Sequence, residues 1–264
     1  MLKNFLNLRN VVAIAICLAV TTTFSSCERN ENGNGNGGNI SSITATNVIG
    51  NTAEIASVNI TLWSTDDEQD EQMVIAEAPF QNNGFRLELP ESVPNNFLWL
   101  IAEDLEDGVT VSNINARGQT VWDIYALNAD GNEIGSLSFT NFDRNSEEEP
   151  NVIIEALWFY VDRNVTITGE MREEWYDDWD GIEYIDIVNF NLNLRRGWNS
   201  AYVRATRTTA GNVVTYNVTF TSQRPANANL SWRFNSWWSG FDFELDSRST
   251  RNTETPKNLF SRSR

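Results

Sequence analysis

The residues with the most concentrated chemistry lie in segment 173–181, where five carboxylates are interspersed with three aromatic side chains. Aromatic rings pack against the CH faces of sugars, and carboxylates accept hydrogen bonds from hydroxyl groups. An Asp-Gly dipeptide closes the segment and is typical of a tight turn, so these residues should form a hairpin tip. We therefore predict a ligand-binding surface at Trp175, Tyr176 and Trp179, with a glycan as the ligand that this chemistry suits.

A second exposed aromatic pair, Trp237-Trp238, lies in irregular sequence after Phe234 and belongs to the same candidate contact surface. The structural alternative for segment 173–181 is a solvated hairpin. Its aromatic side chains would then cover the edge of the domain, while its charges protect that edge from pairing with another strand.

Residue types that are absent exclude most catalytic mechanisms. The chain has no histidine, and its only lysines are Lys3 and Lys257, near its two ends. Zinc sites built on histidine and cysteine, serine and cysteine nucleophiles paired with histidine, and lysine Schiff bases within the domain are therefore excluded. Carboxylate-based glycoside hydrolysis remains as an alternative, because it needs only two acidic residues. With 36 acidic residues, no pair stands out, so we predict a protein that is not an enzyme.

Oxygen-rich turns are the remaining candidates for a bound ion. Asp130, Asn132 and Glu133 lie in segment 128–133 and offer the oxygen ligands that calcium prefers. The spacing does not follow the EF-hand pattern, and a hairpin connection explains the same residues. A structural calcium ion is the only cofactor that the sequence suggests.

The amino-terminal segment predicts export and anchoring. Lys3 and Arg9 precede an apolar run at residues 11–20, which is too short to span a bilayer. Small residues then lead to Cys27, and this order resembles a bacterial lipobox, with Phe24 where leucine is preferred. The resemblance implies that residues 1–26 are a signal peptide and that Cys27 carries the lipid. The alternative is an ordinary cleaved signal in which Cys27 has no role.

The remaining cysteine, Cys17, lies in the apolar run, so the mature domain has no disulfide. Residues 27–40 are rich in asparagine and glycine and predict a flexible tether. The net charge of −17 excludes a nucleic-acid backbone as partner, because the phosphates would be repelled.

Short alternating strands fill residues 41–234. Val58, Ile60 and Leu62 alternate with polar neighbours, whereas residues 152–161 are nearly all apolar and predict a strand buried on both faces. The fold class is all-β, most simply an antiparallel β-sandwich, either continuous or in two similar modules that meet near residues 147–150. A closed β-barrel is the alternative. Residues 235–264, aromatic and then basic, are predicted to be a disordered tail.

Four phrases, NGFRLELP, WFYVDRNVTITGE, NLNLRRGWN and VTFTSQRP, together with the lipobox, resemble Bacteroidota lipoproteins of unknown function. The resemblance implies attachment to the outer membrane, facing the periplasm or the cell surface. Such lipoproteins include glycan-binding accessories of nutrient uptake. We therefore expect a lipid-anchored binding module for a glycan or another envelope protein, and the alternative is a structural or assembly component of an envelope complex.

Overall fold

A computed structural model describes residues 39–65, 71–103, 105, 108–143, 151–177 and 181–236. These segments contain fifteen β-strands and two short 3₁₀ turns, Asn95–Phe97 and Ile101–Glu103, and none of them forms a helix able to span a membrane. In chain order the strands are β1 Ser42–Ala45, β2 Ser57–Trp63, β3 Gln72–Pro79, β4 Phe85–Glu88, β5 Trp99–Leu100, β6 Val109–Val111, β7 Arg117–Val121, β8 Ile124–Leu127, β9 Glu133–Thr140, β10 Val152–Val161, β11 Val165–Asp177, β12 Ile182–Leu194, β13 Gly197–Ala210, β14 Val213–Thr221 and β15 Ser231–Ser236.

Thirteen strands form one large sheet, in the order β3-β2-β8-β9-β10-β13-β14-β12-β11-β6. Strand β15 pairs with β9, and β7 pairs with both β10 and β5. A small antiparallel sheet of β1 and β4 packs against the large one. The all-β sandwich prediction is confirmed, and within the described residues the large sheet stays open between β3 and β6 rather than closing into a barrel.

Strand β10 separates two hydrophobic cores. Ile154, Ala156 and Trp158 on one face belong to a core with β1–β4, β8, β9 and β15, whereas Leu157 and Phe159 on the other face belong to a core with β11–β14. Nine of its ten residues are buried, as the nearly continuous apolar sequence predicts, and the buried residues include Glu155. The sheet therefore runs continuously through β10 from one core to the other.

One pair of strands departs from the antiparallel prediction. Strand β13 pairs with β10 through ten residues instead of returning alongside β12. Strand β14 then lies between β13 and β12, and it runs parallel to β12. The turn from β12 to β13 is held by the buried side chain of Asn199, whose amide bonds the backbone N–H and C=O groups of Arg195.

Trp232 joins the two sheets of the first core. Its ring stacks on Trp158 at 5.6 Å and contacts Phe139 at 5.3 Å and Phe85 at 5.1 Å, while its indole N–H donates to the carbonyl of Thr44. One side chain thus connects β1 and β4 of the small sheet with β9 and β10 of the large one. Trp158, Trp198 and Trp232 are all buried in this core.

Residues 1–38 and the proposed module boundary at 147–150 lie outside the described residues. At the edges of the described part, Ile40 of the predicted tether donates its N–H to the carbonyl of Trp198. Strand β15 extends two residues into the predicted tail, to Ser236.

Replacement of Trp232 with alanine should lower the free energy of unfolding by about 3–5 kcal/mol, because it removes a fully buried aromatic side chain. Ile114→Ala is the control, since Ile114 is 67% exposed and should change stability by less than about 0.5 kcal/mol. Urea unfolding of both variants measures the difference. Equal stability of the two would show that Trp232 does not hold the sheets together.

Candidate functional site

Strands β11–β14 continue past the start of β10 and form an extension of the large sheet. Strand β10 begins at Val152, opposite Thr206, whereas β13 continues to Ala210. The unbroken register places residues 173–177 of β11, 182–186 of β12, 213–216 of β14 and 207–210 of β13 in this sheet extension. The face that continues from the second core is called its inner face.

An aromatic row crosses the inner face of the sheet extension. Trp175 stacks on Tyr184 with ring centroids 5.2 Å apart and an interplanar angle of 10°, and Tyr184 lies parallel to Tyr216 at 6.5 Å. Tyr184 is buried between its two neighbours, whereas Trp175 and Tyr216 are half-buried. The row brings together side chains from β11, β12 and β14.

Charged side chains occupy the adjacent row, between the aromatic row and the core. Glu173 on β11 lies directly opposite Asp186 on β12. Asp186 is in register with Tyr216 on β14, and Tyr216 lies opposite Arg207 on β13. Two carboxylates therefore lie at the β11 side of the inner face and one guanidinium at the β13 side.

The predicted contact residues separate onto different surfaces. Trp175 is on the inner face and half-buried, not openly exposed, because it stacks on Tyr184. Tyr176 is 58% exposed and projects from the opposite face, since successive side chains of a strand alternate. The other predicted contacts, Trp179, Trp237 and Trp238, lie outside the described residues, as does the predicted lipid-bearing Cys27.

Two members of the aromatic row were missed by the sequence prediction. Tyr184 begins the alternation that continues through Val188 and Phe190 of β12, and this pattern could have placed it on the core-facing side. Tyr216 could not have been placed beside Tyr184, because their proximity depends on the parallel pairing of β12 with β14.

The calcium candidates lie in the turn of the β8–β9 hairpin. The side-chain oxygen of Asn128 accepts hydrogen bonds from the backbone N–H groups of Asp130 and Asn132, each at 3.0 Å, and Gly131 has a φ of 80°. The predicted hairpin is confirmed, and these bonds account for its shape. Among the described residues, no three histidine, cysteine or acidic side chains cluster as a metal site would require.

The same hairpin gives one side chain an unusual titration. Burial, followed by the negative charges of Asp123 and Glu133, raises the pKa of Tyr125 from its ordinary value of 10.0 to about 12. The fold thus favours the neutral phenol. The contribution of this neutral phenol to the stability of the folded state is complete below pH 10 and is lost as the pH rises toward 12.

We therefore expect the free energy of unfolding to fall between pH 10 and about 12, and Tyr125→Phe to reduce that fall. Ultraviolet absorbance follows the ionisation of tyrosines as the pH rises. The difference between the titration curves of the wild-type protein and Tyr125→Phe should be a single ionisation near pH 12. A missing step near pH 10 would contradict the buried environment of this side chain.

No family model, no curated protein and no solved structure matches this chain. The function must therefore be argued from the chemistry of the sheet extension itself.

Proposed function

We propose that this protein is a lipid-anchored envelope protein that binds a glycan on the inner face of its sheet extension. The observation that supports the proposal most directly is the aromatic row of Trp175, Tyr184 and Tyr216 beside the carboxylates of Glu173 and Asp186. Aromatic rings suit the CH faces of a sugar and carboxylates accept hydrogen bonds from its hydroxyl groups. Glu173 is the more accessible carboxylate, because it is half-buried whereas Asp186 is buried.

Trp175 is the side chain best placed to stack on a sugar. Tyr184 covers one face of its ring. On its other side, β11 pairs with β6 only at Ile167–Gly169, so within the described residues Trp175 lies at the edge of the sheet. The second face of the indole ring points toward this edge, where a pyranose ring would fit without disturbing the aromatic row.

The aromatic row is also rigid before any ligand arrives. Stacking fixes the side chain of Trp175 against Tyr184, and the register of β11 and β12 holds their backbones. A ligand therefore has less side-chain entropy to remove on binding, which favours affinity.

Glycoside hydrolysis is the second candidate, because Glu173 and Asp186 are adjacent on this face. Directly opposite residues have Cβ atoms about 4.5–5.5 Å apart, close to the carboxyl separation of about 5–5.5 Å in retaining glycosidases. Catalytic carboxylates flank the scissile bond, however, whereas these two project side by side from neighbouring strands. Binding without hydrolysis is therefore the better explanation.

Replacement of Trp175 with alanine should weaken glycan binding by about tenfold or more, because aromatic contacts dominate such surfaces. Tyr176→Ala is the matched control, since Tyr176 is the adjacent residue on the opposite face and is 58% exposed. Calorimetry against a panel of polysaccharides, with thermal unfolding as a check on folding, measures both variants.

Binding that survives Trp175→Ala, or that is lost only in Tyr176→Ala, would contradict the inner-face site. A panel in which the wild-type protein binds nothing would reject the glycan itself. Release of reducing ends by the wild-type protein but not by Asp186→Asn would instead establish the hydrolase.

The proposed anchor gives a separate prediction for Cys27. Cys27→Ala should abolish incorporation of a labelled fatty acid and release the protein from the membrane fraction, because acylation needs the thiol and the new amino terminus. Cys17→Ala is the control, since that cysteine lies within the predicted signal peptide. Unchanged labelling of Cys27→Ala would contradict the lipobox assignment.

A further inference from the structure

Three turns meet at the end of the large sheet that lies opposite the sheet extension. They are residues 113–117, which lead into β7, residues 162–164 between β10 and β11, and residues 195–197 between β12 and β13. The chain as a whole has 36 acidic residues against 19 basic ones, yet these turns contain four arginines and one carboxylate. We call them the arginine end, whose charged residues are Arg117, Arg163, Arg195, Arg196 and Asp162.

Hydrogen bonds join the three turns into one surface. The N–H of Arg117 donates to the carboxylate of Asp162, and the N–H of Asp162 donates to the carbonyl of Arg117, each at 2.9 Å. The N–H of Arg196 donates to the side-chain oxygen of Asn164, also at 2.9 Å. The four arginines are therefore held close together, and all four are exposed.

Arg195 and Arg196 are the two cations of this surface that are available to a partner. Arg163 donates to the carboxylate of Asp162, with N and O 2.6 Å apart, and Arg117 donates to a backbone carbonyl. Arg195 and Arg196 form no ion pair with any described residue. Guanidinium groups suit phosphate, because their N–H groups match its oxygens in pairs.

The turn that carries these two arginines has a fixed backbone. The buried amide of Asn199 bonds both the N–H and the C=O of Arg195, and Asn164 holds the N–H of Arg196. Gly197 completes the turn with a φ of 97°, a conformation that glycine adopts readily. A partner therefore has only the two side chains to order, which favours binding.

The chain enters the domain at the arginine end. Asn39, the first described residue, bridges Asn199, and its side chain lies beside Gly197. Twelve residues, 28–39, separate the predicted lipid-bearing Cys27 from this point. A flexible tether of that length spans about 19 Å on average. The arginine end is therefore the part of the domain that the proposed anchor holds closest to the membrane.

The other end of the same strands has the opposite charge. Between residues 170 and 186 the described part of the β11–β12 hairpin has six carboxylates and one arginine. Strand β12 is 13 residues long, so its two ends lie about 43 Å apart. An anionic surface would attract the arginine end and repel the hairpin, and these two effects together orient the domain.

We propose that the arginine end binds the phosphate groups of anionic lipid headgroups in the membrane that holds the lipid anchor, with Arg195 and Arg196 as the main contacts. The inference rests on the proposed lipid anchor and adds the side of the domain that faces the membrane. The aromatic row then lies at the far end of the sheet, directed away from the membrane.

The test maps arginine modification on the mature, lipid-bearing protein in vesicles of phosphatidylcholine with or without phosphatidylglycerol. Phenylglyoxal modifies accessible arginines, and mass spectrometry of peptides gives the rate at each one. We expect phosphatidylglycerol to slow the modification of Arg195 and Arg196 about fivefold or more, and to slow that of their neighbour Arg163. High salt should remove this protection, because it screens the surface charge.

Arg204 is the internal control. It is exposed and forms no ion pair with any described residue, as is true of Arg195 and Arg196. It lies seven residues beyond the start of β13, about 23 Å from the arginine end. Its rate of modification should be the same in both kinds of vesicle.

Arg195→Gln/Arg196→Gln should return the modification rate of Arg163 to its value in phosphatidylcholine vesicles, because the contact that covers Arg163 is lost. Arg204→Gln is the matched control and should leave Arg163 protected. Thermal unfolding checks that both variants are folded.

Equal rates in the two kinds of vesicle, equal protection of Arg204, or protection of Arg163 that persists in the double variant would overturn the membrane contact. Each of these results leaves the anchor intact if the protein stays with the vesicles. Equal protection by inorganic phosphate in phosphatidylcholine vesicles would identify a site for free anions and also overturn the lipid contact. A protein that carries no lipid and does not stay with vesicles would overturn both proposals.

Discussion

The burial of β10 on both faces is the constraint on which the rest of the structure depends. A strand with apolar side chains on both sides must lie between two cores, so it fixes how the sheet divides them. Its ten-residue register with β13 also fixes the point beyond which β13 continues without β10 beside it. The sheet extension and its inner face exist because β10 starts at Val152, whereas β13 continues to Ala210.

The side chains of the inner face lie beyond the second core, so contacts other than core packing must hold them in place. Cross-strand stacking fills this role, since each aromatic pair contributes about 0.5–1.5 kcal/mol beyond its buried area. Trp175 and Tyr216 consequently remain half-buried, in fixed positions, where a core residue would be covered. A surface of this kind is stabilised by its own stacking and still leaves aromatic area partly exposed.

The sequence predicted the parts of this arrangement that depend on local pattern. Period-two alternation identified β2, the nearly continuous apolar run identified β10, and the turn residues of segment 128–133 identified the β8–β9 hairpin. The same alternation separates Trp175 from Tyr176, although both lie in one acidic-aromatic segment. Local pattern could not reveal that β14 lies beside β12. That position is open to β14 only because β13 pairs with β10 instead of with β12.

The most direct measurement of the central claim is hydroxyl-radical footprinting of the protein with and without its tightest-binding oligosaccharide. Trp175 and Tyr176 are adjacent in the chain but project from opposite faces, so one experiment reports on both surfaces. We expect the ligand to reduce oxidation of Trp175 and Tyr216 and to leave Tyr176 unchanged. Protection of Tyr176 without protection of Trp175 would show that the glycan does not bind the inner face.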